Sequence, residues 1–277
     1  MQPNTKNRIL ILGRGFIGSR IKQELGGEFF SGRIRTLSQA ERDILRYSPK
    51  VLINSVGFIG RNVDDCELDK DKALMANTFI PIILAEVALR HGIKLVHISS
   101  GCIYHYDYER DKPIREEKTP DFFGLYYSRT KIYCEKALEV LAKKFPILIA
   151  RIRVPLDNRP HPKNILDKLI QYKKSVVTIP NSVTYIPDFI KAIKHLIKIN
   201  ARGIYNVVNK GALRYPELLE VYKKYALGFE YKTIDFKKLK MVRTNLVMST
   251  SKLEKSGFRV RDIHEVLEEC VKEYIKY

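Results

Sequence analysis

The chain has 277 residues, 45% of them apolar, and carries 50 Lys and Arg against 31 Asp and Glu, a formal net charge of +19. That length fits one large domain or two intimate lobes, and no apolar run approaches the roughly 20 residues of a membrane span. The basic residues are dispersed, as in Lys143-Lys144 and Lys237-Lys238, which points to a solvated surface with attraction for a polyanionic small ligand and away from nucleic acid.

The first residues lead directly into a strand with no secretory apolar core, so a cytoplasmic location is expected. Arg8-Ile9-Leu10-Ile11-Leu12 reads as that strand, and a glycine-rich turn then opens a helix over 16–25. Glu28-Phe29-Phe30 is a short second strand, and Ser38 caps a helix over 39–47. Val51-Leu52-Ile53-Asn54-Ser55-Val56 is a buried strand. A long helix over 72–90 follows, closed by Gly92. Pro81 inside it predicts a kink or break. Leu95-Val96-His97-Ile98-Ser99 is a strand, a helix opens at Tyr127, and Ile147-Leu148-Ile149-Ala150-Arg151-Ile152 is another strand. Beyond Pro155 the regularity weakens: helices over 164–174, 187–199 and 216–225 alternate with strands over 176–179 and 203–208. Continuous apolar strands between helices imply an α/β fold, a Rossmann-like doubly wound parallel sheet with a smaller discontinuous α/β substrate lobe. The expected boundaries are 1–154 for the first domain, with 183–208 returning to it, and 155–182 plus 209–277 for the lobe.

Gly13-Arg14-Gly15-Phe16-Ile17-Gly18 stands between a strand and a helix, the context that gives a G-x-G-x-x-G match its meaning. Its glycines allow a tight turn and close approach of a pyrophosphate to a helix N-terminus. Sites for NAD place a carboxylate after the second strand. Here Phe30-Ser31-Gly32-Arg33-Ile34-Arg35 has none, and Arg14 lies in the turn itself. A 2′-phosphate suits that charge, so NADPH is expected over NADH, with Arg33 as its ligand or as plain exposed charge. Val56 and Gly57 at the end of the third strand join the expected cofactor residues. Asn77 ties the long helix to the cofactor-side strands or is an ordinary helix residue.

Two further segments carry chemistry. Ser99-Ser100-Gly101-Cys102 ends an apolar strand, and Tyr127-Ser128-Arg129-Thr130-Lys131 opens a helix. Tyr and Lys four positions apart share a helical face. An ammonium there lowers a phenol whose ordinary pKa is about 10, which makes Tyr127 a proton donor to a carbonyl during hydride transfer. Ser100 can hydrogen-bond the same carbonyl. Cys102 adds a thiol that reduction does not need, so it implies a second reaction or is a small packed residue. Four widely spaced cysteines, Cys66, Cys102, Cys134 and Cys270, show no metal-ligand pairing, so reduced thiols and no metal are expected. His97 lies in a buried strand and reads as packed, not catalytic. Arg61, Asn62, Arg153 and Arg243 can hold a diphosphate, which favours arginine forks, or serve in surface and structural ion pairs.

Gly13–Gly18, Ser100-Gly101-Cys102 and Tyr127-x-x-x-Lys131 together resemble the extended short-chain dehydrogenase/reductase superfamily. Arg61-Asn62-Val63-Asp64-Asp65-Cys66, Cys102-Ile103-Tyr104-His105, Arg151-Ile152-Arg153-Val154-Pro155 and Ile179-Pro180-Asn181-Ser182 resemble more closely the bifunctional nucleotide-rhamnose synthase/epimerase-reductases. The resemblance implies conversion of a UDP- or dTDP-4-keto-6-deoxyglucose to the L-rhamnose nucleotide. The family's reductase trio falls on Ser100, Tyr127 and Lys131, and its epimerase pair on Cys102 and Lys168; the rival for Lys168 is a solvated helix lysine. Tyr104 and Asn164 fall in the matching segments and are carried as substrate-side residues. The chain departs from the family where Asp65 replaces an aromatic and a proline is missing beside it. Readings that stay open are a 4-keto-rhamnose reductase alone, an epimerase/reductase for a GDP-sugar, and an NADP-binding regulatory subunit without catalysis. No interface is visible, so a homodimer also stays open.

Overall fold

The computed structural model describes residues 8–239 and 241–277. In chain order the elements begin with β1 (Ile9–Leu12), α1 (Phe16–Leu25), β2 (Glu28–Phe29), α2 (Leu37–Leu45) and β3 (Val51–Asn54). Then come α3 (Asp65–Leu68), α4 (Lys70–Leu74), a π-helical segment (Met75–Phe79), α5 (Ile80–Arg90), β4 (Lys94–Ser100), α6 (Tyr126–Ala142) and β5 (Ile147–Ile152). The chain continues through β6 (Pro155–Leu156), α7 (Ile165–Gln171), β7 (Val176–Val177), β8 (Thr184–Tyr185), α8 (Ile186–Lys198) and β9 (Gly203–Asn206). It closes with α9 (Tyr215–Lys223), β10 (Thr233–Ile234), α10 (Ser251–Lys255) and α11 (Ile263–Tyr274).

Two compact units form. The first takes the described part of Met1–Ser100 with Phe123–Ala150 and Lys194–Tyr205; the second takes Gly101–Phe122, Arg151–Ile193 and Asn206–Tyr277. These units differ from the sequence boundaries at 101–122, 151–154, 183–193 and 206–208, all of which fall in the second unit. The segment after β4 folds on itself in the second unit, where the Ile103 carbonyl accepts from the Asp121 and Phe122 N–H groups, and Ile114 bridges to Met248. Residues 183–193 join the same unit because β8 pairs in parallel with β6.

The six-stranded sheet has the order β2-β1-β3-β4-β5-β9, with β1 parallel to both β2 and β3, and β3 parallel to β4. The chain leaves β1 toward β2 and returns to β3 on the other side. In such sheets ligands sit beyond the carboxyl ends of the strands at that switch. The strands are rich in apolar residues because both faces are covered: Leu10, Leu12, Leu52, Leu95 and Ile149 share a core with Leu84, Ala85 and Val87 of α5 and Leu138 of α6. In the second unit Leu166 and Leu169 of α7, Leu218 and Leu219 of α9, and Val266, Leu267 and Cys270 of α11 pack around β6, β7 and β8.

Local chemistry moves several predicted boundaries. Thr36, not Ser38, caps α2, its Oγ1 accepting from Gln39 N at 3.3 Å. Pro81 does not end the helical run, which continues over Lys70–Arg90. It lacks an N–H and its ring crowds the carbonyl four residues back, at Asn77; the chain widens into a π turn over Met75–Phe79 and runs on as α5, with Pro81 in its first turn. Lys70–Arg90 is helical over 21 residues and by length and composition could cross a membrane, contrary to the sequence expectation. Its apolar face is used in the core of the first unit.

Candidate active site

Each glycine of the first turn has its own reason. Gly13 has φ +99°, and a Cβ there would lie 2.7 Å from Ser55 Oγ and 2.9 Å from Val56 N. A Cβ on Gly18 would lie 2.0 Å from the Gly13 carbonyl oxygen, so this glycine lets α1 pack against the turn. A Cβ on Gly15 would meet nothing within 4 Å. Gly15 caps α1, whose first turn holds no acidic residue. Ser55 Oγ donates to the carbonyls of Leu12, at 2.8 Å, and Gly13, at 3.2 Å, clamping the turn to the end of β3. An open backbone at an uncompensated positive helix end fits a dinucleotide pyrophosphate. Phe16 points into the core and Ile17 is half-buried, so their backbone N–H groups are what a phosphate could meet. Arg14 and Arg33 are exposed; the Arg14 guanidinium lies 5.5 Å from the Phe29 ring centroid.

Tyr127 and Lys131 share a buried face of α6, with Nζ 6.0 Å from the phenol ring centroid. Ser100, at the end of β4, is 7% exposed. A Cβ on Gly57 would lie 3.7 Å from Lys131 Nζ and 3.4 Å from Asn77 Oδ1, so the loop after β3 lies close against Lys131. Asn77 ties the long helix to the loop after β3, the first of the two readings the sequence allowed. Its Oδ1 accepts from Phe58 N at 2.8 Å, and its Nδ2 donates to the Phe58 carbonyl at 3.0 Å and Thr130 Oγ1 at 3.2 Å. The fully buried amide, which stands within the π turn, fixes the loop that carries Val56 and Gly57. Val56 N donates to Asn54 Oδ1 at 3.1 Å. His97 pairs with Asn54 Nδ2 at 3.0 Å; burial, and then the Lys131 charge, hold it well below the ordinary histidine value, so it is a neutral packed group.

In the second unit, Cys102 follows Gly101, whose N–H donates to the Ile152 carbonyl at 2.9 Å. A Cβ on Gly101 would lie 2.5 Å from Met248 Sδ, the end of a flexible side chain packed against this turn. Cys102 is half-buried, while Cys66, Cys134 and Cys270 are buried, and all four are thiols. Burial pushes the Cys66 thiol up to about 11 and the Cys134 thiol up to about 12. Arg153 donates from Nη1 to Cys102 Sγ, from Nη2 to the Thr244 carbonyl, and from Nε to Asn181 Oδ1 at 3.0 Å. Lys168 is half-buried on α7; burial, with Lys163 and Arg243 nearby, pulls its ammonium below the ordinary lysine value. Arg243 is half-buried beside it.

Four other expected substrate residues have structural work. Tyr104 is 1% exposed, its hydroxyl donating to the Lys118 carbonyl at 3.0 Å and its ring facing the Arg151 guanidinium. Asn164 is fully buried and caps α7; Oδ1 accepts from Asp157 N and Leu166 N, and Nδ2 donates to the carbonyls of Asp157 and Arg159. In the first unit Asn62 Oδ1 accepts from Asp64 N at 2.8 Å, and Arg61, with a side chain 89% exposed, pairs with Asp65 at 3.6 Å. Arg153, one of the four groups the sequence offered for a diphosphate or a structural contact, touches the Cys102 thiol. Sequence reasoning missed Ser55, Thr130, Asn181 and Thr244. Ser55, the polar residue ending an apolar strand opposite the glycine turn, was the one with a readable signal.

A glycine turn at the switch of a parallel sheet, with Tyr127 and Lys131 on one buried helical face, defines the class: an enzyme of the short-chain dehydrogenase/reductase type. Within that class the chain belongs to the RmlD substrate binding domain family, whose model matches residues 8–275. It is 33% identical over 278 residues to a trifunctional UDP-glucose 4,6-dehydratase/UDP-4-keto-6-deoxy-D-glucose 3,5-epimerase/UDP-4-keto-L-rhamnose-reductase of Arabidopsis thaliana, covering 94% of this chain and 41% of that protein. The chain thus spans about two fifths of such trifunctional relatives. It is also 33% identical over 230 residues to a bifunctional dTDP-4-dehydrorhamnose 3,5-epimerase/dTDP-4-dehydrorhamnose reductase of the same plant, covering 78% of this chain and 74% of that one. The fold matches a UDP-rhamnose synthase from Acanthamoeba polyphaga mimivirus with TM-score 0.88 at 24% identity, over 96% of this chain and 98% of the other. It also matches the dTDP-4-dehydrorhamnose reductase of Bacillus anthracis in complex with NADP with TM-score 0.82 at 22% identity, over 97% and 99% of the two chains.

Proposed function

We propose that the chain is an NADPH-dependent 3,5-epimerase/4-reductase that converts UDP-4-keto-6-deoxy-D-glucose to UDP-L-rhamnose. The observation that carries the proposal is the pairing of two chemistries in one chain. Ser100, Tyr127 and Lys131 form a carbonyl-reducing set. Two residues beyond Ser100 stands Cys102, the one thiol of the four that is not buried. The names of the plant relatives and of the mimivirus structure support the substrate class, and UDP is favoured because two of the three UDP-directed plant relatives match along 94% of the chain, the third along 79%. The bifunctional plant relative supports dTDP as the second reading.

NADPH would supply the hydride to C4 of the keto-sugar. The Gly13–Gly18 turn and the α1 N-terminus would hold its pyrophosphate. Arg33, with Arg14, would meet the 2′-phosphate, since no carboxylate stands in 30–35 to favour a free ribose. The NADP complex of the Bacillus anthracis reductase supports that preference.

The remaining steps belong to the chain's own groups. The C4 ketone acidifies the protons on C3 and C5, and inversion removes each proton and returns one on the opposite face. Cys102 and Lys168 are the acid/base pair for this exchange. The lowered ammonium of Lys168 brings an amine that can accept a proton nearer to neutral pH. Tyr127 protonates the C4 oxygen, Ser100 orients it, and Lys131 stabilises the phenolate left behind. The test is Cys102→Ala with substrate in D2O. Deuterium incorporation at C3 and C5 should fall about 10²–10⁴-fold, the usual loss of a positioned acid or base, with NADPH affinity unchanged. Exchange at the parent rate would remove the epimerase half of the proposal.

A further inference from the structure

We infer that Arg153 is the positioning residue of the Cys102 thiolate and not a ligand of the substrate diphosphate. The inference rests on the epimerase reading of Cys102. Arg153 is 3% exposed. Its guanidinium stays protonated in proteins, and a buried cation needs a compensating anion. Among the described residues no carboxylate pairs with it. Of its three side-chain partners, the Asn181 amide and the Thr244 carbonyl are neutral, so only the Cys102 sulfur can carry negative charge. Tyr215 and Tyr108 lie within its field, but burial raises both phenols, so they remain neutral.

The guanidinium is held so that it cannot follow another anion. Its backbone N–H donates to Thr184 Oγ1 at 3.0 Å. Asn181, which takes Nε, is itself fixed: Nδ2 donates to Asn245 Oδ1 at 2.8 Å, and its backbone pairs with Leu213. A Cβ on Gly101 would lie 3.5 Å from Arg153 Cδ, so the arginine stem packs on the residue just before the thiol. With Nε and Nη2 anchored, Nη1 remains aimed at Sγ. When the thiolate takes a proton from the carbon beside the ketone, the S–H bond forms and the electron pair passes to the enolate. When the thiol returns a proton, the anion re-forms against Nη1.

Iodoacetamide at pH 7, with no substrate present, reads this directly, because only a thiolate alkylates. The Cys102 peptide is followed by mass spectrometry, with the buried Cys66, Cys134 and Cys270 as internal references. Arg153→Gln should slow alkylation of Cys102 by about tenfold or more, the scale on which a neighbouring cation activates a thiol. Arg153→Lys should recover most of the rate. A purely structural role has the opposite sign, since a loosened site exposes the sulfur and speeds alkylation. An equal or faster rate in Arg153→Gln would overturn the inference, as would an unchanged rate with weakened UDP binding. If Arg153→Gln does not fold, Asn181→Asp puts a carboxylate on Nε, compensates the cation in place and should also slow alkylation; no change there overturns it. Because no substrate is used, failure of epimerisation and failure of this inference are separate results.

Discussion

At the scale of single residues the site separates groups that touch chemistry from groups that hold them. Tyr127 carries a phenol beside a buried ammonium. Tyr127→Phe should therefore reduce NADPH oxidation by about 10²–10⁴-fold while leaving deuterium exchange at C3 and C5 near the parent rate. Loss of both activities together would assign Tyr127 a role in binding and not in reduction. Asn77, Tyr104, Asn164 and Arg153 are all buried, and each is hydrogen-bonded within the fold. A motif shows that such a residue belongs to the neighbourhood, but not whether its polar atoms face a ligand or the backbone. That depends on partners far away in sequence, such as Thr130 for Asn77 or Thr244 for Arg153.

At the scale of elements, the glycine turn allows two effects to be told apart. Gly18→Ala places a methyl group 2.0 Å from a carbonyl oxygen, and such overpacking typically costs about 1–3 kcal/mol. Gly15→Ala meets open space. The first variant should melt at lower temperature with or without NADPH; the second should melt like the parent yet bind NADPH more weakly. Equal melting losses in both would mean that Gly15 serves the fold alone. Helix α11 carries a titratable contact of its own. Burial would lower His264, but hydrogen bonds to Asp262, at 2.8 Å, and Glu217, at 3.2 Å, outweigh it and raise the value above the ordinary 6.5. The contribution to stability is then fully present below about pH 6.5 and is lost as pH climbs through the raised value. His264→Gln should lower the melting temperature at pH 5.5 and converge on the parent in mildly alkaline buffer. A constant difference across that range would show that the contact is not ionic. Helix α11 carried no start signal in the sequence reading, although Asp262 caps it by accepting from His264 N at 2.9 Å. The π turn before Pro81 was equally hidden, because a proline marks a disturbance without saying which way the chain relieves it.

At the scale of the whole molecule, the alternation of apolar strands and helices made the parallel sheet legible, since strands covered on both faces read as continuous hydrophobic runs. The glycine turn, Ser100, Cys102 and the Tyr127–Lys131 pair were legible because local spacing alone places them. The second unit was harder to read: it is assembled from three separated stretches, and its small sheets have strands of two residues, too short for any periodicity to register. The +19 charge finds its simplest use in the chemistry proposed, where both the cofactor and the nucleotide-sugar are polyanions. The most direct measurement incubates the chain with NADPH and UDP-4-keto-6-deoxy-D-glucose in D2O and follows the product by NMR. UDP-L-rhamnose carrying deuterium at C3 and C5, formed with stoichiometric NADPH oxidation, is the expected result. A reduced sugar with no deuterium at either carbon would contradict the bifunctional account.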